Sequence, residues 1–224
     1  MSIQIPENAN RIKMILSGLF LVSGSVTVLI GQLLPILAKQ YSLDDLQLSF
    51  YFPAQFAGSL VGTVMTSRFA RKSKFITASV IGAVLMAVGV LLMNVDSFPV
   101  SLAAFMINGV GIGLTLPAIN MTVLELSPQN AASSLSLLNF FWGVGAILCK
   151  PFVDLSSSGS NIITTTFVLA APMLAAAVLL FIQPTRIIRA DRPVERSVEP
   201  KKVPIWSLPL AWAIALFNFI HVGF

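Results

Sequence analysis

Six long apolar stretches, separated by short polar segments, constrain what this chain can fold into. They cover approximately residues 14–38, 46–67, 75–93, 99–124, 135–154 and 161–183. A helix that rises about 1.5 Å per residue needs roughly 20 residues to cross ~30 Å of hydrocarbon, and each stretch is about that long. A seventh apolar stretch covers residues 206–224. The pattern predicts an all-α integral membrane protein with six complete spans and the start of a seventh.

Composition supports a membrane protein and argues against an enzyme. Only 10% of the residues are charged and the mean hydropathy is +0.87, whereas about a quarter of the residues in a soluble domain are charged. No Asp, Glu, Lys, Arg or His lies centrally in the six stretches, and the single Cys149 has no metal-ligating companions. Because no nucleophile–base pair, metal cluster or phosphate-binding loop is visible, we expect no catalytic residues, no metal and no cofactor.

Basic residues are distributed unequally between the two sides of the predicted membrane. If the N-terminus is cytoplasmic, the outside carries only Lys39 and Lys150. The inside then carries the other twelve, which are Arg11, Lys13, Arg68, Arg71, Lys72, Lys74, Arg186, Arg189, Arg192, Arg196, Lys201 and Lys202. The positive-inside rule therefore predicts a multi-pass plasma (inner) membrane protein with a cytoplasmic N-terminus. Topology and anionic lipid explain the pI of about 9.7, so no nucleic-acid partner is expected.

The linkers and an internal repeat suggest how the chain is organised. Residues 1–183 are predicted to form one six-span bundle, residues 184–205 a basic cytoplasmic linker rich in proline, and residues 206–224 an incomplete seventh span. The motif I-G-x-x-L-P occurs at residues 30–35 and again at 112–117, and an amide followed by Phe comes 20 and 22 residues after the two prolines. Chance is the alternative explanation. A true repeat with three spans per unit implies two inverted three-helix units.

Neutral hydrogen-bonding side chains are the main polar groups in the predicted spans. Five of them form the predicted substrate-binding set: Gln32, Gln55, Asn120, Asn139 and Trp142. Asn108 is a further amide in these spans, outside the set. Amides donate and accept hydrogen bonds, and an aromatic face packs on the apolar face of a sugar ring, so the set suits a small neutral polyol. In the alternative interpretation each amide bonds a neighbouring helix instead.

Several motifs resemble the N-terminal half of a major facilitator superfamily transporter. The segment Thr63–Lys72 resembles part of the superfamily signature G-x-x-x-D-R-x-G-R-K. Arg68, Arg71 and Lys72 agree with the signature, whereas Ser67 stands in place of its Asp. Phe105 stands where antiporter-type members have Arg, which argues against a proton-antiporting drug exporter. Three segments resemble the fucose–proton-symporter-like sugar branch: Gln55–Ser59, Pro117–Asn120 and Leu138–Ala146.

The resemblance implies a function and a missing partner. It implies half of a transporter that moves a small neutral solute, a sugar first of all, across a lipid bilayer by alternating access. A drug or metabolite efflux transporter and a non-transporting membrane scaffold are the alternatives. Transporters of this kind need two six-span halves, so a partial gene product that lacks its C-terminal half is expected, with a homodimer of half-transporters as the other possibility.

Overall fold

The computed structural model describes residues 8–95, 97–157 and 162–183, all of which belong to one compact unit, Ile5–Arg186. The predicted linker over residues 184–205 and the predicted seventh span over residues 206–224 lie outside the described residues. The described part is entirely helical, apart from its turns. Its helices are α1 (Ala9–Tyr41), α2 (Asp45–Ser49), α3 (Tyr51–Arg71), α4 (Phe75–Leu92), α5 (Phe98–Leu126), α6 (Ala131–Ser156) and α7 (Ile163–Ile182), with a 3₁₀ turn at Pro128–Asn130.

Local sequence signals end the helices and turn the chain back. The helix α1 ends at Ser42, whose φ of 51° places it in the left-handed region. Asp44 then begins α2 with a capping box, in which its side chain accepts from the Gln47 N–H and the Gln47 side chain accepts from the Asp44 N–H. Ser73, with a φ of 51°, makes the turn between α3 and α4. These connections are short, so consecutive long helices run antiparallel.

One of the predicted spans differs in its bounds and its apolarity from the prediction. The prediction of an all-helical bundle is confirmed, and the long helices α1, α4, α5, α6 and α7 are each long and apolar enough to cross a membrane. The predicted second span, over residues 46–67, is instead the short α2 followed by α3, and α3 is not apolar enough to meet that criterion. Its hydrogen-bonding side chains explain this. Gln55 and Thr66 donate to groups on α5, so a neighbouring helix satisfies polar groups that lipid would not.

The long helices pair as the predicted repeat requires. If α1, α3 and α4 form one unit and α5, α6 and α7 the other, the pair α1–α6 is equivalent to the pair α5–α3. Both pairs are extensively packed, and α4 contacts both α5 and α7. An exposed apolar face remains on each of α3 and α6, formed by Phe52, Phe56, Leu60 and Val64 on α3 and by Leu137, Phe140, Ile147 and Leu148 on α6.

Glycines allow the closest helix contacts. On α3 and α5, a Cβ atom placed at Gly58, Gly62, Gly109 or Gly113 would lie 2.0–2.2 Å from a carbonyl oxygen of the opposite helix. On α1 and α6, a Cβ at Gly24 or Gly145 would lie 2.0 or 1.8 Å from the opposing carbonyl oxygen. Since real Cβ atoms do not approach oxygens so closely, these backbones are in contact because the glycines have no side chain.

Candidate functional site

A cavity opens between α1, α5 and α6 at one end of the bundle. We call this end the basic end, because the start of α1 and the turn between α3 and α4 bring six basic residues there: Arg11, Lys13, Arg68, Arg71, Lys72 and Lys74. The helices α1 and α6 cross at Gly24 and Gly145, where Ser25 Oγ donates to the Gly145 carbonyl at 2.7 Å. From this crossing towards the basic end they leave space between them.

This space, the basic-end cavity, has a volume of about 360 Å³ and is lined by Lys13, Met14 and Ser17 of α1, Val123 of α5, and Ser134, Leu137, Leu138 and Phe141 of α6. Its size falls in the range of about 300–1,000 Å³ that is usual for small-molecule sites. Lys13 Nζ donates to Ser127 Oγ at 3.1 Å, which links the start of α1 to the end of α5. The cavity therefore has an apolar wall with a cation and two hydroxyl groups.

Two members of the predicted substrate-binding set lie one helical turn along the chain from residues that line this cavity. Asn120 comes three residues before Val123 and Trp142 four residues after Leu138, so each lies one helical turn further into the bundle than a cavity-lining residue. Asn120 Oδ1 and Trp142 Nε1 are buried, and neither has a hydrogen-bond partner in the described part of the chain. One atom is an acceptor and the other a donor, and an unpaired buried polar atom costs about 1–3 kcal/mol. The pair is suited to a ligand that can both donate and accept.

Gln55 lies elsewhere, inside the contact between α3 and α5. It is the fifth residue of α3, is 8% exposed, and its Nε2 donates to Asn108 Oδ1 at 3.4 Å. Asn108 Nδ2 in turn donates to the Met86 carbonyl at 3.4 Å, so the two amides connect α3, α5 and α4. The predicted set did not include Asn108; its signal was an amide in an otherwise apolar helix. These contacts match the interpretation in which an amide bonds a neighbouring helix.

The other two predicted contacts are less enclosed. Asn139 is exposed on α6, beside the exposed Phe140. Gln32 is half-buried on α1, eight residues beyond Gly24 in the direction away from the basic end. Asn120 and Trp142 therefore lie on the helices α5 and α6 that line the basic-end cavity, although none of the five predicted residues is among its lining residues. A binding role for each of the five stays a prediction.

The predicted loop motif lies at the end of α3 and is exposed. The residues Ser67, Arg68, Arg71 and Lys72 all face solvent at the basic end. Ser67 Oγ donates to the Val64 carbonyl at 2.6 Å within its own helix. Arg68 and Arg71 lie in the last turn of α3, where cations interact favourably with the helix dipole. Among the described residues, no group of three or more His, Cys, Asp or Glu could hold a metal ion.

The fold is similar to that of a solved transporter. The crystal structure of a D-xylose-proton symporter superposes with a TM-score of 0.67 at 18% sequence identity, over 94% of this chain and 52% of the other. At this identity the match shows the fold alone. The chain thus spans about half the length of the structure that it matches.

The sequence itself also matches a known family. Among curated protein sequences none matches this chain. The family model of the Major Facilitator Superfamily, however, matches residues 15–224, which is nearly the whole chain. The six long helices match about half of the fold of such a transporter, and the family is one of membrane transporters, not of enzymes. The chain therefore belongs to the major facilitator superfamily.

Proposed function

We propose that this chain is half of a secondary-active or facilitative transporter that moves a small neutral polar solute, a sugar first of all. The observation that carries the proposal is that two buried polar atoms on α5 and α6, Asn120 Oδ1 and Trp142 Nε1, have no hydrogen-bond partner among the described residues. A polyol has adjacent hydroxyl groups, so one can donate to Asn120 while the next accepts from Trp142. The indole face also offers an apolar surface to a sugar ring. The similarity to the fold of a D-xylose-proton symporter supports this substrate class.

Alternating access requires a second bundle, and the exposed apolar faces of α3 and α6 are suited to one. Within the described residues, α6 is the least buried of the candidate spans, with 17% of its most apolar window inside the bundle. A six-helix partner, either the C-terminal half of a longer protein or a second copy of the chain, would cover these faces. Rocking of the two bundles would expose Asn120 and Trp142 first to one side and then to the other.

We assign the basic end to the cytoplasm of a plasma (inner) membrane protein, in accordance with the positive-inside rule. The basic-end cavity is then the route by which the solute reaches or leaves Asn120 and Trp142 on the cytoplasmic side. Of the other predicted contacts, Gln32 and Asn139 would meet the solute from α1 and α6, whereas the bond of Gln55 to Asn108 supports an indirect role, in which Gln55 holds α3 against α5. The exposed loop residues Ser67, Arg68, Arg71 and Lys72 would contact the partner bundle.

Counterflow of labelled sugars in proteoliposomes tests this function. The protein is reconstituted with its six-span partner, and exchange is measured for the unaltered sequence, Asn120→Leu and Trp142→Phe. We expect each substitution to lower exchange by about tenfold or more, because each removes one hydrogen bond to the solute, while leucine keeps the shape of Asn120 and phenylalanine keeps an aromatic face at position 142. Gln129→Ala, an exposed amide in the 3₁₀ turn, is the matched control and leaves exchange unchanged.

Two results would replace the proposal. Exchange of an amphiphilic cation without exchange of any sugar would establish the efflux alternative. If no solute exchanges, and Trp142→Phe changes neither binding nor any activity of stably folded protein, the chain is a non-transporting scaffold.

A further inference from the structure

The wall of the basic-end cavity is mostly apolar, although Lys13 lies at its edge. Five of its eight lining residues are large and apolar: Met14, Val123, Leu137, Leu138 and Phe141. A neutral polyol would leave most of this wall without a suitable partner, because each sugar hydroxyl needs a hydrogen bond that these side chains cannot supply. A ligand with a hydrocarbon or aromatic body would instead bury the apolar wall and gain about 25 cal/mol per Å² of apolar surface.

The charge of Lys13 completes the recognition chemistry. An ammonium group has three donors, and only one contact of Lys13 is seen, the 3.1 Å hydrogen bond to Ser127 Oγ. No carboxylate of the described residues is seen in an ion pair with Lys13. Ser17 and Ser134 add hydroxyl donors to the same lining. The cavity therefore combines an anchored cation, two hydroxyl groups and an apolar wall.

We propose that the basic-end cavity binds an amphiphilic anion, a molecule with one carboxylate or phosphate group on an apolar body, and that Lys13 is its charge partner. The anionic group accepts from Lys13 Nζ and from the hydroxyl of Ser17 or Ser134, while the body lies against Phe141 and the leucines. The inference goes beyond the transport proposal, because this ligand is charged and occupies the cavity itself and not the deeper Asn120–Trp142 pair. It also does not depend on a second bundle.

Equilibrium dialysis with radiolabelled decanoate tests this site on the purified 224-residue chain in phosphatidylcholine nanodiscs. We expect saturable binding, and Lys13→Gln should weaken it by about tenfold or more, since a hydrogen bond to a charged group is lost. Lys13→Arg keeps the charge and should retain binding. Arg11→Gln removes an exposed cation two residues away that does not line the cavity, so it should bind decanoate like the unaltered chain.

A neutral probe and an anionic lipid separate the remaining explanations. Decanol should bind at least about tenfold more weakly than decanoate; equal binding would overturn the proposal, as would equal losses in Lys13→Gln and Arg11→Gln. If nanodiscs that contain phosphatidylglycerol prevent decanoate binding, the occupant is a membrane lipid; if decanoate still binds, it is a soluble anion. Because binding is measured without transport, a failed sugar assay does not affect this result.

A separate contact concerns the proline in α5. A helical N–H at position 117 would donate to the carbonyl of Gly113, four residues earlier, but Pro117 has no N–H. The hydroxyl of Thr66 on α3 lies 3.1 Å from that carbonyl oxygen, 3.3 Å from the carbonyl of Leu114 and 3.0 Å from that of Gly62 in its own helix. A hydroxyl has one proton to donate, so three acceptors compete for it.

We infer that Thr66 supplies the hydrogen-bond donor that Pro117 lacks and so stabilises α5 at its proline. The glycine contacts make this possible, because a Cβ at Gly62 would lie 2.2 Å from the Val110 carbonyl and one at Gly113 would lie 2.1 Å from that of Ser59. Thr66 itself is 5% exposed, so no solvent competes for the bond.

A double-mutant cycle tests the link between Thr66 and Pro117 by thermal unfolding of the purified chain. Thr66→Val should lower the melting temperature by about 2–4 °C, whereas Thr66→Ser should not. In the Pro117→Ala background, where residue 117 can donate to Gly113 again, the same substitution should have an effect of about 1 °C or less. Thr122→Val is the matched control, since buried Thr122 donates only to Ala118 of its own helix at 2.8 Å. Equal effects of Thr66→Val in both backgrounds, or an equal effect of Thr122→Val, would overturn the inference.

Discussion

The pairs α3–α5 and α1–α6 hold equivalent places in the two predicted repeats, yet they are built differently. Along α3–α5, four glycine positions bring backbones into contact. Side-chain bonds then join the helices from end to end: Tyr51 to Ser101, Gln55 to Asn108, and Thr66 to the carbonyl of Gly113. The pair α1–α6 has its glycine contacts at Gly24 and Gly145, and a cavity opens from there towards the basic end.

This difference indicates that the pair α3–α5 stabilises the bundle, whereas the pair α1–α6 leaves room for a ligand. Small residues repeated along a helix allow contact over its whole length, and hydrogen bonds between buried helices make that contact rigid. Larger side chains beyond a single crossing, such as Leu138 and Phe141 on α6, keep two helices apart and leave room for a ligand. We therefore expect substitutions in α3–α5 to act mainly on stability, and those beside the α1–α6 cavity mainly on binding.

The largest expected effect comes from filling a glycine position in the closed pair. Gly109→Val would place a Cβ 2.0 Å from the Gln55 carbonyl, so α3 and α5 must separate at a cost of at least about 3 kcal/mol. Gly143→Val is the control on α6, because nothing lies within 4 Å of a Cβ there. Size-exclusion chromatography and thermal unfolding measure the folding and stability of both variants. If the Gly109→Val protein is monodisperse and its melting temperature is unchanged, the backbones of α3 and α5 are not in close contact.

Substitutions of two amides that are predicted to bind the same solute should have different effects on the stability of the protein. Gln55→Ala removes the donor to buried Asn108 and should cost about 1–3 kcal/mol in unfolding free energy. Asn139→Ala, at an exposed position, should cost no more than about 0.5 kcal/mol. Denaturant unfolding in mixed micelles measures the two values. Equal losses would mean that Asn139 is as firmly packed as Gln55 and would remove the contrast between the pairs.

A smaller effect is expected at the single crossing of the open pair. Ser25→Ala removes the 2.7 Å bond from Ser25 Oγ to the Gly145 carbonyl and should cost about 1 kcal/mol. The control is Ser23→Ala, since Ser23 Oγ donates to the Leu19 carbonyl of its own helix at 2.7 Å and has only a long contact of 4.0 Å to Met86 Sδ on another helix. The same unfolding assay distinguishes them. If Ser23→Ala costs as much as Ser25→Ala, the crossing depends on the glycines alone.

The smallest effect is expected on the outer surface of α6. Lys150 Nζ and Asp154 Oδ2 are 2.9 Å apart, but their side chains are 66% and 59% exposed. Asp154→Asn should therefore change stability by about 0.5 kcal/mol or less, and the change should shrink further at high salt. A loss above about 1 kcal/mol, measured by the same assay at low and high salt, would show that this ion pair within α6 contributes more to stability than its exposure implies.

Much of the helical architecture could be predicted from hydrophobic length, although its details could not. The predicted first span, residues 14–38, is the longer helix Ala9–Tyr41, because polar residues such as Asn10 and Gln40 continue a helix that the apolar pattern does not include. The second apolar stretch contains the short α2 and the long helix α3, because the chain turns at Phe50, and the polar residues of α3 make it less apolar than the other long helices. The length of an apolar stretch predicts whether a helix can contact lipid, but it does not predict which polar groups a neighbouring helix can hydrogen-bond.

The candidate site could be predicted only in part. A polar side chain in an apolar run indicates that a partner exists, and this signal found Gln55, Asn120 and Trp142 alike. Whether the partner is another helix or a ligand depends on which face of the helix meets which neighbour. Gln55 proved to face Asn108 on α5, while Asn120 Oδ1 and Trp142 Nε1 are buried without a partner among the described residues.

Composition and periodicity by themselves determined that this chain is a helical membrane protein, because the cost of exposing polar groups to lipid depends on residue type and on length along the chain. Short motifs were enough to indicate the transporter family. Only the tertiary structure showed that the backbones of α3 and α5 are in close contact, whereas α1 and α6 leave a cavity between them. That outcome depends on how glycines and large side chains from distant parts of the chain meet, and contacts of this kind have no fixed spacing in the sequence.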